Sequence, residues 1–486
     1  MWAIFRDPCD ESVIRSRPAT NSSAKSRGRW VLAATILASS MAFIDGTVVN
    51  VALPALQTHL NATAVDVQWV IEAYSLFLSA LLLVGGSLGD HYGRRKIFLI
   101  GISIFALASM ACGFAANVQH LIIARAVQGF GAALLVPGSL AIISNSFPEN
   151  ERGRAIGTWS GFSAITTGAG PVLGGWLIEH VSWRAVFFIN VPIAVAVILI
   201  SLRHVAESSN EDKTSIDWIG AVLAALGLGA LVFGLLESSR IGFSDRTVVI
   251  VLIAAGVLLV GFLLFETRVT EPMLPLSLFR SRVFRGTNLL TFLLYAALSG
   301  TLFFLPMNLI QIQHYGATAA GAALLPFILL MFALSRWSGG LVTRYGARLP
   351  LIVGPMVAAC GYALFLRTGI GGNYWTDFFF PVAVLGLGMA ISVAPLTTVV
   401  MSSVSPARAG IASGVNNAVA RTAGLVAIAV FGILMLHVFG DRLNRRLTES
   451  ALPISIVQSV QKQSTRLAAI EISTDQDANE RHSLRR

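Results

Sequence analysis

Apolar runs of bilayer-spanning length recur along the whole chain, and they leave one class of fold open. A span needs about 20 predominantly apolar residues. Such runs occupy approximately residues 30–53, 67–88, 97–116, 119–143, 155–178, 185–202, 216–237, 247–266, 286–310, 317–341, 350–367, 377–400 and 409–438. In hydrocarbon each backbone N–H and C=O must find its partner within the protein, so spans of this kind are helices. Composition agrees: 55% of residues are hydrophobic and 12% are charged, about half the charged share of an ordinary soluble domain. The sequence predicts an all-α polytopic membrane protein with about 13 transmembrane helices.

Lys and Arg segregate between alternate connections. With the N-terminus placed in the cytoplasm, the inner segments hold twenty of them, among them Arg94, Arg95, Lys96, Arg152, Arg154 and Arg408. The outer loops hold four: Arg184, Arg240, Arg246 and Arg367. This positive-inside bias predicts a multi-pass protein of a bacterial inner membrane. It also accounts for the net charge of +10 without any nucleic-acid partner. Residues 1–29 lack the apolar core of a cleavable signal and read as a basic cytoplasmic tail. Cys9, Cys112 and Cys360 are isolated, so they make neither a disulfide framework nor a zinc site. No HExxH, GxSxG or GxxxxGK[ST] pattern is present, and with them the usual signs of metal, acyl-transfer and nucleotide chemistry are missing. Neither enzyme activity nor a cofactor is expected.

The chain also repeats itself. Gly86 to Arg95 is matched by Gly339 to Arg348, Gly129 to Ala133 by Gly386 to Ala390, and Arg152 to Gly157 by Arg408 to Gly414. The offsets stay between 253 and 258 residues. Parallel repeats of this kind mark transporters whose halves rock about a midplane site. The register divides the chain into an N-terminal half at 30–203 and a linker with two inserted helices at 204–285. A C-terminal half at 286–438 and a polar tail at 439–486 follow. The sixth run has no counterpart: after Phe439 the longest apolar stretch is the seven residues from Ala451 to Val457, too short to span. A fourteenth helix is therefore expected to be missing from this chain.

Five motifs, in order, carry a resemblance. They are DGTVVNVALP at Asp45 to Pro54, GSLGDHYGRR at Gly86 to Arg95, LIIARAVQGFG at Leu121 to Gly131, GPVLGG at Gly170 to Gly175 and WRAVFFINVP at Trp183 to Pro192. With them the chain resembles the major facilitator superfamily and, within it, the fourteen-helix branch of drug:proton antiporters, over about residues 30–438. It departs from the pattern at Thr166, where Gly is usual, at Ala185, where Trp is usual, and at Thr343, where the second loop commonly has an acid. The resemblance implies two six-helix halves with two inserted helices. It implies proton-coupled efflux of hydrophobic drug-like molecules, cations included, by alternating access, and it leaves room for a periplasmic adaptor protein as a partner.

A charge inside a membrane span is costly, so ionisable residues there are functional candidates. Asp45, Glu72 and Arg125 lie in the first, second and fourth runs and form the expected proton-coupling set. Burial disfavours the charged form of a carboxylate and a nearby cation favours it, and that balance lets such a group take and release a proton. A static polar lock is the alternative for Asp45, and Arg125 reads equally well as a structural partner. Glu72 can also offer a counter-charge to a cationic substrate. Asn416, Asn417 and Arg421, near one face of the last run, are the substrate-binding candidates of the second half. Asp90, Gly93 and Arg94 are the gating candidates, with Asp90 pairing to Arg94 or to a neighbouring helix as a latch. Gly170 and Pro171 join them, because Gly and Pro in a span allow close packing and a kink. The second reading is a transport-inactive or truncated membrane protein acting as a sensor or scaffold on the same fold.

Overall fold

The computed structural model describes residues 21–62, 64–209, 217–270 and 272–449. Thirteen long helices account for most of them. They are α1 (Asn21–Leu60), α2 (Ala64–Tyr92), α3 (Arg94–Gly113), α4 (Val118–Ser146), α5 (Glu149–His180), α6 (Asn190–His204), α7 (Trp218–Ile241), α8 (Arg246–Glu266), α9 (Arg282–Gln311), α10 (Leu325–Gly339), α11 (Arg348–Phe365), α12 (Phe379–Ser402) and α13 (Ala409–Glu449). Short polar side chains start several of them. Asn117 accepts from His120 N–H at 2.8 Å ahead of α4, and Asp217 accepts from Gly220 N–H at 2.7 Å ahead of α7. Each satisfies one of the donors that a helix N-terminus leaves open. Gly93, at φ 106°, makes the break between α2 and α3, a conformation that a side chain would strain.

Twelve helices among the described residues are long and apolar enough to cross a membrane. The thirteenth, α5, has 32 residues and is long enough too, but its composition is more polar. Its first turns carry Glu149, Glu151, Arg152 and Arg154, and Gly, Ser and Thr recur along its length. Helix ends differ from the sequence reading where local chemistry offers no stop. Beyond Phe439 the residues Arg442 to Glu449 include neither Gly nor Pro and are mostly good helix formers. Thus α13 continues to Glu449 and takes in the start of the expected polar tail. The remainder of that tail and the first 20 residues lie outside the described residues.

In the first half, α6 packs on α1 and α3, α4 on α2 and α3, and α5 on α1. In the second half, α12 packs on α10 and α11, and α13 on α9. Each half has its own buried core, around Phe98, Phe105 and Leu135 in one and Leu309, Phe327 and Met389 in the other. Of the inserted pair, α7 lies on α2 and α8 lies on α7. Ile250, Ile253, Val257 and Val260 of α8 remain exposed, as befits a lipid-facing surface.

The halves meet through glycine. A Cβ on Gly86 of α2 would stand 2.2 Å from the Gly410 carbonyl of α13, and one on Gly414 2.9 Å from that of Leu82. A Cβ on Gly153 of α5 would stand 2.2 Å from the Gly339 carbonyl of α10, and one on Gly157 2.2 Å from that of Ser335. The sequence repeat exchanges these two seams: Leu82 and Gly86 correspond to Ser335 and Gly339, Gly153 and Gly157 to Gly410 and Gly414. Membrane helices gain little from hydrophobicity and associate by close packing, so backbone contact of this kind is what holds such halves together. Both seams sit at the end of the bundle that carries Arg94, Arg95, Arg152, Arg154 and Arg408, here termed the basic end.

Candidate functional site

Asp45 is fully buried within α1, and both its carboxylate oxygens are met. Arg125 of α4 donates through Nη1 to Oδ2 as an ion pair. Gln128, one turn further along α4, donates through Nε2 to Oδ1 at 2.8 Å. Asn190, in the first turn of α6, donates to the same oxygen at 3.2 Å. An Asp at the centre of a span costs about 2.5–3.5 kcal/mol to insert. Charge-assisted bonds, the stronger class, offset that cost here.

Arg125 is itself held on all sides. It gives Nη1–H to Gln128 Oε1 at 2.8 Å and Nε–H to the Val70 carbonyl of α2 at 3.0 Å. The Tyr74 ring lies 4.3 Å from its guanidinium carbon, within cation–π range. Tyr74 is fixed in turn, donating its hydroxyl to the Ala42 carbonyl of α1 at 2.9 Å. The site thus ties α1, α2, α4 and α6 together. On a fourth side α5 comes close: a Cβ on Gly170 would stand 2.0 Å from Thr47 Oγ1, and one on Gly174 2.5 Å from Val48 Cγ2. Gly170 therefore admits the backbone of α5 against the turn that carries Asp45. The side chain of Pro171 lies outside the described residues.

The segment before α6 is anchored as well. Arg184 donates to the Gly113 and Ala115 carbonyls at 2.6 and 3.0 Å, capping the end of α3, and covers the Trp183 ring at 4.4 Å. This fixes where α6 begins, and hence where Asn190 points.

The other candidates make contacts of their own. Glu72 is buried, 9% exposed, and accepts from Gln68 one turn earlier in α2 at 2.5 Å. Asn416 donates to Thr291 at 2.8 Å and Asn288 at 3.3 Å, both on α9. It fastens α13 to α9. Asn417 donates to the Ser413 carbonyl of its own helix at 2.9 Å, and Arg421 is partly buried. A separate cavity of about 440 Å³ opens in the second half, bounded by Phe304 and Asn308 of α9, Tyr362 of α11 and Phe439 of α13.

Asp90 joins the halves at the basic end. It is fully buried and pairs with Arg94 at 2.8 Å. It also accepts from the backbone N–H of Gly410 at 3.0 Å and Ile411 at 2.9 Å, at the start of α13. Helix N-termini attract anions through open N–H groups and the helix dipole, so Asp90 caps a helix of the opposite half. Arg94 extends the contact by donating to the Pro406 carbonyl. Gly93 leaves room for Glu207, which accepts from Arg95 N–H at 3.0 Å and Lys96 N–H at 3.1 Å. Thr343 occupies the position equivalent to Asp90 and has no carboxylate to offer α5.

Sequence reasoning did not find Gln128, Asn190, Tyr74 or Glu207. Gln128 had a signal, being one helical turn from Arg125 on the same face. Asn190 had one too, as an amide inside an apolar run. Glu207 had none, since its role depends on how the linker folds back on α3.

The chain as a whole is similar to known proteins. The family model described as Major Facilitator Superfamily matches residues 35–429. The Tetracenomycin C resistance and export protein of Streptomyces glaucescens is 35% identical over 431 residues, covering 88% of this chain and 80% of that protein. The Multidrug resistance protein Stp of Mycobacterium tuberculosis is 34% identical over 430 residues, with the same two coverages of 88% and 80%. Among solved structures, the proton:xylose symporter XylE aligns with a TM-score of 0.57 at 15% identity, over 84% of this chain and 89% of its own. The human organic anion transporter MFSD10 aligns with a TM-score of 0.58 at 16% identity, over 83% and 92%. At such low identity these two bear on the fold alone. Helices, internal repeat and family match agree: the chain is a multi-pass membrane protein that belongs to the Major Facilitator Superfamily.

Proposed function

We propose that this protein exports hydrophobic, drug-like small molecules, cations among them, in exchange for protons. Relatives named for antibiotic and multidrug resistance support the efflux part. The observation that carries the proton part is the fully buried Asp45 paired with Arg125. A carboxylate kept in a span at this cost is a functional group by default. Asp45 is the proton carrier, and Arg125 with Gln128 holds its carboxylate in place.

Segregation of Lys and Arg supports a cytoplasmic basic end in a bacterial inner membrane. The glycine seams and the Asp90 latch then hold the cytoplasmic side shut. Alternating access requires them to part when the site faces inward. Gly170 and Pro171 let α5 move as a close neighbour of α1 during that exchange. Glu72 supplies a negative charge for cationic substrates in the first half, and Arg421 and Asn417 face substrate from the second.

The test is Asp45→Asn at matched expression. Asn keeps the size and loses the titration. The expected result is normal membrane insertion with loss of drug resistance and of pH-gradient-driven dye efflux. Wild-type resistance and efflux in this variant would reject Asp45 as carrier.

A further inference from the structure

Asn190 is 1% exposed, and its amide is only half used. Its nitrogen donates to Asp45 Oδ1 at 3.2 Å and to Ser109 Oγ of α3 at 3.0 Å, which takes up both N–H bonds. Its oxygen is buried and has no hydrogen-bond partner among the described residues. An orphaned buried acceptor costs about 1–3 kcal/mol, and a native structure that keeps one needs a reason.

The surroundings of Asp45 supply that reason. Arg125 has only donors. Gln128 presents its nitrogen to Asp45, while its oxygen is taken by Arg125 Nη1 at 2.8 Å and approached by Cys112 Sγ at 3.7 Å. Among the described residues every hydrogen bond to Asp45 is thus donated to it. That suits a carboxylate and leaves the O–H of a carboxylic acid without an acceptor. Gln128 cannot turn without aiming its NH₂ at the guanidinium. Asn190 can. A half-turn of its amide exchanges nitrogen and oxygen without changing the side chain's shape. The oxygen then faces Asp45 and accepts its O–H. It can also accept from Ser109, whose hydroxyl now donates to the Phe187 carbonyl at 2.8 Å.

On the reading that Asp45 exchanges a proton, we propose that Asn190 is a positioning residue for the protonated state. Its amide donates to the Asp45 carboxylate and, after a half-turn, accepts a hydrogen bond from the Asp45 carboxylic acid. No covalent bond to Asn190 forms or breaks, and the proton stays on Asp45 until it leaves for water. The charged and titratable groups around Asp45 are few. Arg125 comes from α4, Tyr74 from α2 against that guanidinium, and Cys112 from α3 by way of Gln128. From α5 come Gly170 and Gly174, which carry no charge, and from α13 Arg421 acts on Tyr74.

Infrared difference spectroscopy on the purified full chain in lipid vesicles tests this. The carboxylic C=O band of Asp45 is assigned by its loss in Asp45→Asn. Asn190→Leu and Asn190→Asp both keep the branched shape of the side chain. In Asn190→Leu, Asp45 should still titrate, with its C=O band moved to higher frequency because the O–H has lost its acceptor. In Asn190→Asp the midpoint should rise by about one pH unit or more, a tenfold gain in proton affinity, since a second carboxylate opposes the charge. Melting temperature serves as the control for folding. If Asn190 is only structural, Asn190→Leu melts lower while the Asp45 band stays put, which would overturn the proposal. A wild-type titration without any Asp45-dependent band would remove proton exchange at Asp45 and this inference together. A wild-type band that both variants leave unchanged would remove the role of Asn190 alone.

Discussion

Arg125 meets four partners at once, and they make different demands. Asp45 needs its charge, whereas the Val70 carbonyl and Gln128 need its planar fork. Arg125→Lys keeps the charge and loses the fork. Arg125→Ala leaves a buried carboxylate unpaired, at a cost of about 3–5 kcal/mol. Dye efflux should therefore fall partly in the Lys variant and to background in the Ala variant. Equal, near-normal rates in both would take Arg125 out of the mechanism. Glu72 makes a separate prediction. Glu72→Gln keeps an acceptor for Gln68 and removes the charge, so efflux of cationic compounds should drop more than that of neutral ones. A uniform fall across a panel of both kinds would assign Glu72 to coupling or folding. At this scale the sequence revealed what is costly. Asp45 and Arg125 stand out because a charge in a span needs a reason. Gln128 and Asn190 are cheap enough in a span to pass unnoticed, and only the fold brings Asn190 of α6 to Asp45 of α1. Position on a helix face does not say which neighbour the face meets, and Asn416, a substrate-binding candidate by its position, meets α9.

Among the elements, α5 and α13 do equivalent work. Each brings a pair of glycines, four residues apart, onto the backbone of a helix in the other half. In such a seam a side chain is tolerated only if the helices separate. Gly410→Val would put carbon atoms into the Gly86 carbonyl and the Asp90 carboxylate, which lie 2.4 and 2.8 Å from a Cβ there. Closure at the basic end should become the strained state. Efflux is expected to fall about tenfold or more, the effect of ~1.4 kcal/mol on a barrier. Labelling of a cysteine introduced beside the seam should increase. Unchanged efflux and labelling would show that the seam does not need to close. Element positions were mostly legible, because runs of apolar residues mark spans whatever their neighbours. Ends were less so. The polar start of α5 and the extension of α13 to Glu449 rest on helix-forming residues outside the apolar window.

At the scale of the whole molecule, two halves related by the repeat are held shut at one end by asymmetric chemistry on a symmetric frame. Both seams have their glycines, but only the first loop has the carboxylate, Asp90, that caps the partner helix. Asp90→Asn should loosen the basic end while leaving each half folded, because the cores of the halves do not involve it. The expected readout is greater cysteine labelling at the basic end, with a lower melting temperature because the buried Arg94 loses its counter-charge. Labelling equal to wild type would remove the latch from the account. The frame itself was readable from the repeated motifs. The asymmetry was visible as Thr343 against Asp90, although what Asp90 touches was not.

The central claim, that transport is coupled to a proton carried by Asp45, is tested most directly in proteoliposomes. A pH-sensitive dye inside the vesicles would follow proton movement when a transported compound is added to one side. The account predicts a proton flux opposite to the substrate in the wild-type chain, and no substrate-dependent proton flux in Asp45→Asn at equal protein. Substrate-dependent proton flux of wild-type size in Asp45→Asn, or substrate transport by the wild type without any proton movement, would contradict it.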